Sequence, residues 1–113
     1  MNEELNLEIY DTGDWLVAAY VGRLDLLVRE RFCQQTSEAL EARPEVGLVL
    51  DLFGVEAIDS SGLGAIFTLY KLLTARKAQL VLVAPNHEVA ELLKLTHLDK
   101  VIRVEENLAA VTG

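Results

Sequence analysis

The segment GLVLDLFGVEAIDSSGLGAIF, residues 47–67, joins two unlike patterns. Residues 47–53 are a short apolar run, the mark of a strand buried in a parallel sheet whose two faces are both covered. From Leu63 onward the apolar positions are Leu63, Ile66, Phe67, Tyr70 and Leu73, which is helical spacing. Between the two patterns stand an acid, two hydroxyls and two glycines: Asp59, Ser60, Ser61, Gly62 and Gly64. A buried strand that runs through a polar loop into a helix is half of a βαβ unit, so this segment predicts an α/β fold.

The flanking sequence repeats the alternation. Leu5, Leu7 and Ile9 alternate with Asn6, Glu8 and Tyr10, as in a strand with one wet face, and DTGD at 11–14 is a hairpin turn. WLVAAYV at 15–21 is apolar throughout and predicts a second strand. From Asp25 to Ala42, Val28, Phe32, Thr36, Ala39 and Leu40 share one side of a helix; Arg29, Glu30, Gln34 and Glu38 lie elsewhere, and Pro44 follows its end. QLVLVA at 79–84 predicts a strand, and PNHEVAELLKL at 85–95 a helix with Val89, Leu92 and Leu93 inward. KVIRV at 100–104 predicts a last strand, and EENLAAV a short helix. The expected architecture is a single α/β domain over residues 1–113: a mixed, mostly parallel sheet of about five strands with about four helices, edged by the antiparallel opening hairpin. In such sheets functional groups gather at the carboxyl ends of strands, where the 57–64 loop falls.

Composition narrows the possible partners. The chain has 113 residues, 51% of them apolar and 25% charged, which is the balance of a globular protein. Its net charge is -8, and the basic residues form no stripe, so neither nucleic acid nor an anionic membrane is an expected partner. Cys33 is the only cysteine, which excludes an internal disulfide and favours a core-filling role. The acidic, alternating N-terminus is unlike a signal peptide, and no apolar run approaches the roughly 20 residues of a membrane helix, so a cytoplasmic location is expected. His87 and His97 lack acidic or cysteine neighbours at metal-ligand spacing and are assigned to structure or surface. Trp15 and the Leu92–Leu93 pair are assigned to packing. No G-x-S-x-G elbow and no G-x-x-x-x-G-K loop occurs, so no catalytic residue and no cofactor are expected.

The loop itself has a plain structural explanation. A helix leaves its first N–H groups unpaired, and an Asp or Ser side chain at the cap satisfies one of them for about 1 kcal/mol. Asp59, Ser60 and Ser61 all qualify, as does Asp25 for the preceding helix. Two glycines in the first turn, Gly62 and Gly64, each cost up to roughly 1 kcal/mol relative to Ala. Their presence points either to close approach by another molecule or to tight packing of helix against sheet. A phosphoryl group on Ser60 would add about -1.5 to -2 charges at a helix N-terminus, where an anion is tolerated, and would change the outward field more than the fold.

GRLD at 22–25, LDLFGVEAIDSSGLG at 50–64 and LVLVAPNHEVAELLKLTHLDKVIRV at 80–104 together resemble the STAS domain, specifically the bacterial anti-sigma factor antagonists. The likeness covers nearly the whole chain. It implies a transcriptional regulator that, when unmodified, binds an anti-sigma factor that is also a serine kinase, so freeing a sigma factor. It also implies ATP-dependent phosphorylation of the serine after the motif's aspartate, reversed by a serine phosphatase. That serine corresponds to Ser60, with Ser61 the second choice, and the partner-binding set corresponds to Asp25, Asp59, Ser60, Ser61 and Gly62. The alternative role in the same fold is an unswitched subunit of a lipid-trafficking or transporter complex. Two departures stand out: TARKAQ at 74–79 lacks the glycine pair common in the family, and Arg23 replaces a residue that is often acidic.

Overall fold

The computed structural model describes residues 5–113. Strands β1 (Leu7–Asp11) and β2 (Trp15–Tyr20) form the expected antiparallel hairpin. Its turn is held by the Asp11 carboxylate, which accepts from Gly13 N at 2.7 Å and pairs with Arg43. β2 pairs in parallel with β4 (Gly47–Asp51), β4 with β6 (Leu80–Val83), and β6 with β7 (Arg103–Glu105). The sheet order is therefore β1-β2-β4-β6-β7.

Side chains alternate across a strand, and here the alternation separates two cores. Leu16, Ala18, Tyr20, Leu48, Leu50, Leu80 and Leu82 face helices α1 (Arg29–Ala42), α2 (Ser60–Ala75) and α3 (His87–Leu95). Val17, Val49, Val81 and Val83 face the other way, against Trp15, Leu108 and Val111. Both faces are dry, as the unbroken apolar strands predicted. The second face differs from the expectation of flanking helices, since only the short α4 (Ala109–Thr112) and its approach cover it.

Two strands lie outside the predicted order. β3 (Gly22–Leu24) and β5 (Val55–Ile58) pair in parallel as a separate two-stranded sheet. The 15–21 strand stops at Tyr20 because Gly22 has φ +122°, a conformation that side-chain-bearing residues rarely adopt, and this turns the chain out of the main sheet. Gly22 N donates to Gly54 O at 2.9 Å, linking the points where β2 and β4 give way to β3 and β5. Asp25 thus follows the third strand rather than the second.

The other boundaries moved less. Residues 25–28 form a turn in which Val28 N and Arg29 N donate to Asp25 O at 3.2 and 3.0 Å, so α1 begins at Arg29 rather than Asp25. Leu98–Lys100 is a 3₁₀ turn, and the last strand starts at Arg103 rather than Lys100. Phe67, expected on the buried face of α2, is 42% exposed and stacks on Tyr70 with Lys71 Nζ 5.3 Å from its ring centroid. Ala65, Ile66, Leu69 and Leu73 point inward instead. A helix apolar at nearly every position does not name its own buried face.

The missing glycine pair has a local consequence at the end of α2. Lys77 N donates to Thr74 O at 3.0 Å and Ala78 N to Leu73 O at 2.9 Å, which is the Schellman pattern of hydrogen bonds. The left-handed position of that motif belongs to Lys77, at φ 59°. A left-handed L-residue carries a penalty of roughly 1–2 kcal/mol that glycine escapes. Lys77→Gly is therefore expected to stabilise the protein by about 1 kcal/mol, after allowing for the extra chain entropy of glycine. Urea unfolding followed by circular dichroism measures the change, and a variant no more stable than the parent contradicts the assignment.

Candidate functional site

The small sheet positions the site. Leu24 of β3 lies opposite Ile58 of β5, and the next residue on each strand is an aspartate, so the chain direction delivers Asp25 and Asp59 to the same end. Asp59 N donates to Leu24 O at 3.4 Å across that end. The Asp59 carboxylate is used twice: Oδ1 accepts from Gly62 N at 2.9 Å, capping α2, and Oδ2 accepts from Leu26 N at 3.3 Å. One side chain thereby joins the start of α2 to the turn after β3. Asp25 Oδ1 accepts from Leu27 N at 3.0 Å, so Asp25 caps that turn, while the N-cap position of α1 is Val28 without a side-chain cap. Of the residues able to cap α2, Asp59 does so.

Ser60 is the first residue of α2 and is exposed, and its hydroxyl has no hydrogen-bond partner among the described residues. Ser61 is half-buried. Gly62 is buried, and a Cβ there would stand 2.1 Å from Leu24 O and 2.8 Å from Ile58 Cγ2. Packing of helix against sheet, rather than approach by a partner, accounts for this glycine. Gly62 thus lets the start of α2 pack directly on β3. Gly64 differs: a Cβ there would meet only the Arg29 guanidinium, with Nη2 at 3.5 Å, an ordinary contact.

The surroundings add residues that the sequence reading left out. Leu26 and Leu27 are 69% and 84% exposed on the turn pinned by Asp59, so an apolar edge adjoins the cap that precedes Ser60 in the chain. They fall outside the helical stripe, and a Leu-Leu pair directly after Asp25 was the available signal. A groove between α1 and α2, lined by Leu26, Arg29, Glu30, Cys33 and Thr68, continues from this edge. Burial pushes the Cys33 thiol pKa up while nearby Arg29 pulls it down, and Cys33 packs beside the core as expected. Burial, reinforced by the negative charge of Asp25, also raises the pKa of Tyr20, whose hydroxyl donates to Arg23 O at 3.0 Å beneath the turn. On the other side, Asn86 caps α3 by accepting from Val89 N at 2.8 Å, and its Nδ2 donates to Val55 O and Glu56 O at 3.2 Å, tying α3 to β5. His87 and His97 are exposed.

The chemical capacity of this arrangement follows. Ser60 presents an oxygen that no base within the described residues engages, so it is not an activated nucleophile. Among the described residues no helix is long and apolar enough to cross a membrane.

Residues 6–111 match the family model described as the STAS domain. The anti-sigma F factor antagonist of Paenibacillus polymyxa is 29% identical over 103 residues, a span covering 91% of this chain and 88% of that one. An anti-sigma factor antagonist from Mycobacterium paratuberculosis superposes with a TM-score of 0.84 at 23% identity, covering 95% of this chain and 90% of that one. The anti-sigma factor antagonist SpoIIAA, solved in its unphosphorylated form, superposes with a TM-score of 0.67 at 17% identity, covering 92% and 88%. With the family model matched from Asn6 to Val111 and the fold shared across these structures, the chain belongs to the STAS domain family.

Proposed function

We propose that this protein is a non-catalytic, cytoplasmic anti-sigma factor antagonist that binds an anti-sigma serine kinase when unmodified and is released when Ser60 is phosphorylated. The observation that carries the reading is the exposed Ser60, whose hydroxyl has no partner among the described residues, directly after the Asp59 carboxylate that holds the turn carrying the exposed Leu26 and Leu27. An apolar edge supplies contact area, and the hydroxyl at its margin supplies a point where charge can be added. Asp25 and Asp59 hold the turn and the helix start in register, and Ser61 lies at the inner margin. A serine phosphatase resets the switch. Names of relatives agree with the antagonist role, and one of them was solved in its unphosphorylated form.

The test is incubation of the purified protein with ATP, magnesium and the anti-sigma kinase of its own host, followed by intact-mass and fragment mass spectrometry. One added phosphoryl group, on Ser60 and absent from Ser60→Ala, is the expected result. An unchanged mass, with the kinase active on a control substrate, would overturn the switch and favour an unswitched STAS subunit.

A further inference from the structure

Among the described residues, Arg29 is a cation near the start of α2 with no ion-pair partner. In a chain with 18 acidic and 10 basic residues, the Arg29 guanidinium forms no ion pair among the described residues, whereas Arg43 and Arg103 both do. The two nearby carboxylates are already committed, Asp25 to Leu27 N and Asp59 to Gly62 N and Leu26 N. A methyl placed on Gly64 would stand 3.5, 3.6 and 3.9 Å from Arg29 Nη2, Cζ and Nη1. The guanidinium therefore lies broadside on the glycine, which leaves its N–H edges open. Gly64 is one helical turn beyond Ser60, and residues four apart on a helix have their side-chain origins about 6 Å apart. Ser60 and the flexible Arg29 side chain are thus about one helical turn apart.

We infer that Arg29 is the internal counter-ion of phosphorylated Ser60, a deepening that rests on the proposed modification of that residue. Guanidinium suits the task because its planar fork of N–H groups matches phosphate oxygens two at a time. In the unmodified protein Arg29 lines the α1–α2 groove, where its exposed fork is open to an acidic group of the docked partner. Modification then acts in two ways: it adds negative charge at Ser60, and it draws Arg29 inward, away from the partner. Arg29 is a positioning residue here, since the phosphoryl group is placed on Ser60 by another enzyme.

The experiment installs phosphoserine at position 60 during translation, so no kinase is needed. The second ionisation of the phosphoryl group is then followed by ³¹P NMR in the parent, Arg29→Gln and Arg29→Lys backgrounds. Asp25 and Asp59 raise this ionisation, and Glu30 and Arg31 on α1 contribute opposite charges, but all four are present in every variant. Arg29→Gln is expected to raise the pKa by about half a unit or more, and Arg29→Lys to restore most of the shift. Thermal melts of the three proteins are expected to agree, because Arg29 is exposed. Equal ionisation in the parent and Arg29→Gln would overturn the assignment. A kinase that ignores Ser60 would instead remove the proposed switch and leave this titration unaffected.

Discussion

Ser60→Asp is expected to lower affinity for the anti-sigma kinase by about 100-fold, with Ser60→Ala within a few-fold of the parent. The estimate starts from Coulomb's law: two like charges 4 Å apart repel by about 1 kcal/mol in water and about 4 at an effective dielectric of 20. A docked surface lies between these limits, and about 2.7 kcal/mol is two decades in Kd. Phosphorylation brings about -1.5 to -2 charges rather than one, so the modified protein should bind more weakly still. The fold is not expected to suffer. Position 60 is the first residue of α2, where a carboxylate is favoured by about 0.3–1 kcal/mol, and the side chain points to solvent. Titration calorimetry of the purified kinase with each variant reads the difference, and thermal melts verify folding. Equal dissociation constants for Ser60→Asp and Ser60→Ala would remove the electrostatic basis of the switch.

Gly62→Ala is expected to destabilise the protein by about 2 kcal/mol. A Cβ at this position would stand 2.1 Å from Leu24 O and 3.0 Å from Leu24 C, and those are backbone atoms of β3 that have no side-chain rotamer to change. The start of α2 would have to withdraw from the small sheet, straining the Asp59 cap and its bond to Leu26 N. Overpacking of this kind costs about 1–3 kcal/mol or more, and the better helix propensity of Ala, about 1 kcal/mol, offsets only part of it. Against a typical domain stability of 5–15 kcal/mol, given as a roughly general range, that is a large fraction. Gly64→Ala is the internal control: its Cβ would meet only Arg29 at 3.5 Å or more, so the propensity gain should appear without the clash. Urea unfolding of the pair separates the two glycines, and a Gly62→Ala midpoint equal to that of Gly64→Ala would contradict the packing account.

These two glycines mark how far the linear pattern carries. Helix propensity counts Gly62 and Gly64 as equal, because it depends on residues within a turn or so. The difference between them comes from Leu24, nearly forty positions earlier in the chain, and no local signal contains it. The same limit explains β3 and β5. GRL and VEAI are three and four residues long and, unlike the unbroken apolar LVLV of β6, mix apolar with charged residues, while a Gly at the start and an Asp after the end of each stretch otherwise signal turns. Their likeness to each other, a glycine, a few β-forming residues, then an aspartate, was the signal available. The long elements were legible for the opposite reason: β2, β4, β6 and the three longer helices each carry enough apolar residues at a regular interval to declare their type.

The order of the longer strands and helices, the dry two-sided sheet and a helix cap among Asp59, Ser60 and Ser61 were written in local composition and period, because burial and capping act over a few neighbouring residues; the choice of Ser60 came from the family resemblance. Which groups surround that serine was settled by the parallel pairing of β3 with β5. That pairing carries Asp25, Leu26, Leu27 and Arg29 to the start of α2, across separations such as the 33 residues between Leu26 and Asp59. Pairing energy is collected from backbone hydrogen bonds and packing between distant segments, so the neighbours of Ser60 exist only once the chain has closed on itself.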